Sequence, residues 1–133
     1  MATKIFVNLP VKDLQRSIKF FEGLGYHFNR QFTDATAACM VISDDIYAML
    51  LTHDKFKQFT TKQITDAKND IEVMVCLSAD NRAGVDELVG KALACGAAEA
   101  RDPQDYGFMY GRSFEDLDGH IWEIIWMDPS AVK

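Results

Sequence analysis

FVNLPVKDLQRSIKFFEGLGY, residues Phe6 to Tyr26, changes hydrophobic period partway along, and that change sets the fold. Ile5-Phe6-Val7-Asn8-Leu9 is a run of β-branched and aromatic residues that reads as a strand, with a stop expected at Pro10. Asp13 then suits a helix N-cap, because its short carboxylate can accept from the free N–H groups of the first turn. Leu14, Ile18, Phe21 and Leu24 follow at spacings of four, three and three, one apolar face of a helix. Gly25 stands where a helix usually ends in a left-handed residue. Beyond it lie three strand candidates, Tyr26–Phe32, Ala37–Ile42 and Tyr47–Thr52, with Asp44-Asp45 marking a turn between the last two.

The second half repeats this order. Ile71–Leu77 reads as a strand, and residues from Arg82 to Cys95 as a helix with Val85, Leu88, Val89, Ala92 and Leu93 on one side. Gly96 closes it as Gly25 closed the first, and Ala97–Arg101, Phe108–Glu115 and Ile121–Met127 are three more strand candidates. Residues 53–69 are polar with spaced apolar positions and read as a connector holding a short helix. The pattern is β-α-β-β-β twice, at a period of about 65 residues, too long for a solenoid unit. The expected fold is α+β: one domain over residues 1–133, built of modules at about 1–53 and 70–133 with a connector at about 54–69. A lone module of that size buries too little core, so two curved mixed sheets are expected to pack and enclose a cleft.

Composition agrees with a globular protein, at 48% hydrophobic and 26% charged residues over 133 positions. The net charge of −6 and the scatter of its 14 Lys and Arg argue against a nucleic-acid partner, which needs a clustered basic face. No apolar run approaches the roughly 20 residues that span a bilayer. The opening MATKIFVNLPVKDL has neither an apolar h-region nor a small-residue cleavage site, so no secretory signal is expected and a cytoplasmic location is. Cys39, Cys76 and Cys95 are odd in number, form no CxxC pair and sit in apolar contexts, which reads as reduced, packed thiols.

One carboxylate stands out. In DGHIWEIIW, residues Asp118 to Trp126, Glu123 interrupts a strand otherwise made of large apolar side chains. A metal, a buried cation, a water-filled cavity or a solvent-facing edge would each account for it. The segment Asp105–Phe114 holds two tyrosines, two phenylalanines, a methionine and an arginine, and is expected to pair with the Glu123 strand. Alternation puts Phe108, Tyr110, Arg112 and Phe114 on one face and Met109, Gly111 and Ser113 on the other. If the first set joins Glu123, Arg112 is its counter-ion; if the second, Arg112 lies outside. His27, His53 and His120 show no i, i+2 or i, i+4 ligand spacing and read as edge, rim and hairpin residues.

FVNLPVKDLQRSIKFFEGLGY, the internal repeat and the closing hairpin Asp116-Leu117-Asp118-Gly119-His120-Ile121-Trp122-Glu123 together resemble the vicinal oxygen chelate superfamily, which includes glyoxalase I, extradiol dioxygenases, and bleomycin and fosfomycin resistance proteins. The resemblance covers the whole chain and implies a cleft in which metal-using members place one His, Glu or Gln from each of four strands. Carried over residue by residue, those positions fall on Phe6, near Leu50, on Met74 and on Glu123. Glu123 alone is a competent ligand for a hard or borderline ion; a two-residue slip along the strand adds Glu72. The resemblance therefore implies a metal-independent, mostly apolar small-molecule pocket with no cofactor. It is lined by Phe6, Asn8, Leu50, Met74, Tyr110 and Arg112, and Glu123 serves as polar anchor or proton-transfer group. The alternative it implies is a glyoxalase-like lyase or isomerase, or a dioxygenase, with a divalent ion on Glu123 and Glu72. A homodimer is expected in either case.

Overall fold

The computed structural model describes residues 3–131 and divides into two compact units between Thr65 and Asp66, inside the segment read as a connector. The first unit runs β1 (Ile5–Val11), α1 (Leu14–Gly23), β2 (His27–Asn29), β3 (Ala37–Val41), β4 (Ile46–Thr52) and a one-turn helix α2 (His53–Phe56). Its sheet has the order β1-β4-β3-β2, parallel between β1 and β4 and antiparallel elsewhere. β1 continues through Pro10 instead of stopping there, because β1 is an edge strand, where a missing N–H need break no ladder. Asp13 caps α1 by accepting from the Arg16 N–H at 3.2 Å, and Gly25 takes φ +107° just past the helix. The helix buries Leu14, Phe20 and Phe21. One sheet face buries Leu9, Leu50 and Ala38 in one row and Ala48, Met40 and Phe28 in the next. Each of the larger side chains contributes about 1.5–3 kcal/mol by leaving water.

The strand expected over Tyr26–Phe32 is shorter than its β propensity suggests. The Asn29 side chain accepts from the Gln31 N–H at 3.0 Å, and the Thr33 hydroxyl donates to the Asn29 carbonyl at 2.7 Å. These local bonds favour a 3-10 turn at Arg30–Phe32 over a longer ladder.

The second unit runs β5 (Met74–Ser78), α3 (Arg82–Ala94), β6 (Ala98–Glu99), β7 (Gln104–Asp105), β8 (Met109–Glu115) and β9 (Ile121–Met127). Its sheet has the order β5-β9-β8-β6, again with the first strand parallel to the last. The strand expected at Ala97–Arg101 shortens to Ala98–Glu99, and β7, which was not expected, also pairs with β8 along the same edge after residues 100–103. Val85, Val89 and Ala92 of α3 are buried, as are Phe114, Trp122 and Ile124 of the sheet.

The β8–β9 hairpin is held from inside by Asp116. Its carboxylate accepts from the Asp118 N–H at 2.9 Å, the His120 N–H at 3.0 Å and the Trp122 indole N–H at 3.0 Å. Gly119 takes φ +92°, and a Cβ there would stand 2.7 Å from the Lys68 nitrogen, so no other residue fits without movement. No helix among the described residues is long and apolar enough to cross a membrane.

Candidate functional site

The register of the second sheet answers why β9 carries a carboxylate. Trp122 and Ile124 point into the core, so the residues between them belong to the other face. There Glu123 lies opposite Cys76 of β5 on one side and Ser113 of β8 on the other, a row across three strands. Met74, Ile121 and Glu115 form the next row one way, and Ser78, Ile125 and Gly111 the next the other way. The Glu123 side chain is 19% exposed and accepts from Arg101 Nη2 at 2.9 Å, while Arg101 itself, in the break between β6 and β7, is 60% exposed. Cys76 is exposed, yet partial desolvation by its neighbours, and then the charge of Glu123, pushes its thiol upward, which keeps it protonated at neutral pH. Ser113 is 1% exposed, and its hydroxyl has no hydrogen-bond partner among the described residues.

The residues singled out from the sequence are distributed as follows. Met74 shares the Glu123 face and is exposed. Phe6 and Asn8 share a face of the first sheet, where the Phe6 ring stacks on Tyr47 with centroids 4.7 Å apart. Leu50 does not join them: it pairs with Leu9 on the opposite face and is 0% exposed, a core side chain. The β4 residue beside Asn8 is Met49, one position away, and in a strand a one-residue offset reverses the face. Tyr110 and Arg112 likewise do not join Glu123. They lie on the Trp122–Ile124 face, where Arg112 donates to Asp86 at 3.2 Å and Glu99 at 3.3 Å, and the Tyr110 hydroxyl donates to Asp86 at 2.6 Å. That hydroxyl, and then Arg112, lower the Asp86 carboxyl, and the same bond raises the Tyr110 phenol. Glu72 sits in an exposed bend ahead of β5, outside the strand. Cys39 is buried as expected, but Cys76 and Cys95 are exposed.

Arg101, read as the last residue of the strand expected at Ala97–Arg101, was not singled out from the sequence; the strand stops at Glu99 and leaves Arg101 beyond its end.

Of the four positions expected from the resemblance only Glu123 offers a ligand for a hard or borderline ion, and it is already paired with Arg101, so this donor set does not fit such an ion. No three His, Cys, Asp or Glu side chains among the described residues gather around one point.

A second polar cluster holds the Gln104–Phe108 segment. Arg82 at the start of α3 donates to both Asp105 oxygens, at 2.7 and 2.9 Å, and to the Gly107 carbonyl at 3.0 Å. Its guanidinium also lies 5.2 Å from the ring centroids of Tyr110 and Trp126. Arg82, with the Gly107 N–H, lowers the Asp105 carboxyl to about 2.

Comparison with known proteins agrees with this geometry. Residues 3–43 match the family described as bleomycin resistance protein-like N-terminal. No curated protein matches the chain. Among solved structures, a hypothetical protein from S. aureus is 28% identical with a TM-score of 0.80, over 95% of this chain and 94% of that one. A glyoxalase/bleomycin resistance protein/dioxygenase family enzyme from Burkholderia phytofirmans PsJN is 17% identical with a TM-score of 0.77, over 95% and 99%. The fosfomycin resistance protein FosX from Mesorhizobium loti is 16% identical with a TM-score of 0.69, over 98% and 97%. The two mixed sheets and these structural matches show that the chain has the fold of these glyoxalase/bleomycin resistance and fosfomycin resistance proteins. Residues 3–43 are in addition similar in sequence to the bleomycin resistance protein-like N-terminal family.

Proposed function

We propose that the chain binds an amphipathic small molecule on the Glu123 face of its second sheet without a metal, either to hold that molecule or to move a proton with Glu123. The observation that carries the reading is the Cys76–Glu123–Ser113 row: a half-buried carboxylate, a protonated thiol and an unpartnered hydroxyl, bordered by Met74, Ile121 and Ile125. Apolar walls with a few convergent polar groups suit a small ligand with one polar end. A carboxylate in such a setting can accept a proton from a bound acid, and Arg101 holds Glu123 in place by a hydrogen bond of 2.9 Å.

Elemental analysis of the purified protein, with a thermal-shift screen against Zn, Ni, Mn and Fe, tests the reading. It predicts no stoichiometric metal and no metal-induced stabilisation. Stoichiometric metal that is lost in Glu123→Gln would overturn it in favour of a glyoxalase-like lyase or isomerase, or a dioxygenase.

A further inference from the structure

We infer that Arg101 is the recognition residue of the Glu123 face, and that the ligand it selects carries a carboxylate on an apolar body. The inference deepens the binding reading and rests on it. Arg101 lies in the break between β6 and β7, one residue past the Ala100 N–H that donates to the Ser113 carbonyl, and is mostly exposed. Among the described residues its one hydrogen bond is to Glu123, so most of its five N–H donors remain available. Glu123 is the less exposed partner, and it acts as a positioning residue that holds the guanidinium beside the sheet.

The other polar groups of the row point the same way. Ser113 offers a buried hydroxyl with no partner and Cys76 a thiol that stays protonated, both hydrogen-bond donors. A planar guanidinium matches a carboxylate in two parallel hydrogen bonds, which no amide or amine can copy. Met74, Ile121, Ile125 and Met109 supply apolar side chains on the same face for the body of such a ligand.

Calorimetric titration of the full chain with octanoate, octanamide and octylamine tests this. These probes share a body and differ only at the head. The expected result is that octanoate binds at least tenfold more tightly than either of the others. In Arg101→Gln that preference is lost, and Arg101→Lys keeps part of it. An unchanged melting temperature in both variants, expected for so exposed a side chain, separates loss of recognition from loss of fold. Preference for octylamine, or a preference for octanoate that survives in Arg101→Gln, overturns the inference while leaving the binding face intact. Failure of all three probes to bind overturns the binding reading and the inference together.

Discussion

Replacing Asp116 with Ala should destabilise the second unit more than any other single carboxylate substitution. Asp116 is only 7% exposed, and its oxygens accept from two backbone N–H groups and from the indole of Trp122, itself fully buried. Removing the acceptor strips the indole N–H of this buried bond, at a cost of about 1–3 kcal/mol. The two hairpin N–H groups are partly buried and recover some hydration, adding roughly 1–2 kcal/mol between them. The carboxylate pays against this for its own burial, which raises its proton affinity despite the neighbouring His120 and the bonds it accepts. A net loss of about 3 kcal/mol is expected, a large share of the 5–15 kcal/mol typical of a domain. Asp116→Asn keeps an oxygen for the backbone but turns an NH2 group toward the indole, and should lose about half as much. Because the folded-state pKa is raised, the folded chain holds this proton more tightly than the unfolded one. Asp116 thus withdraws stability as pH rises from the ordinary carboxyl range through its own raised value, and that slope should vanish in Asp116→Asn. Urea unfolding followed by circular dichroism, repeated across pH 4–7, measures both effects. A loss below about 0.5 kcal/mol in Asp116→Ala would refute the assignment of Asp116 as the internal support of the hairpin.

Three further predictions concern neighbouring features. Leu50→Ala should cost about 2–5 kcal/mol in urea unfolding as a core truncation, whereas Phe6→Ala, with its ring half exposed, should cost clearly less; equal losses would contradict the face assignment. Gly119→Ala combines a left-handed φ with contact against Ala67 and Lys68, and should lower stability by about 1–3 kcal/mol, read as a fall in melting temperature. The lowered Asp105 carboxyl contributes stability that is present above its ordinary pKa and lost as pH falls toward about 2, so Arg82→Ala should flatten the acid limb of the unfolding curve in that window.

The architecture was legible wherever period and punctuation agreed. β9 spans the same residues, Ile121–Met127, that its apolar run suggested, and the first helix begins after Asp13 and ends before Gly25 as its caps require. Legibility failed where a strand had to be phased. Leu50 and Met49 are both apolar, and nothing local says which meets Asn8; pairing with β1 decides it. The face of Arg112 was open for the same reason, and the burial of Trp122 and Ile124 settles it by giving Ser113, not Arg112, to Glu123. β5 starts only at Met74, because Ile71 and Val73 have strand propensity but no neighbouring strand to pair with, β9 beginning at Ile121 opposite Met74. Arg101 was read as the end of a strand, and where that strand stops depends on pairing with β8, which the local sequence does not contain.

The most direct test of the Glu123 face as a metal-free binding site is an amide-resolved NMR titration of the chelator-treated protein with octanoate. The account predicts saturable shifts centred on Cys76, Ser113, Glu123 and Arg101 in the absence of any added ion. Shifts that appear only after a divalent metal is restored, or that centre away from this row, would contradict it.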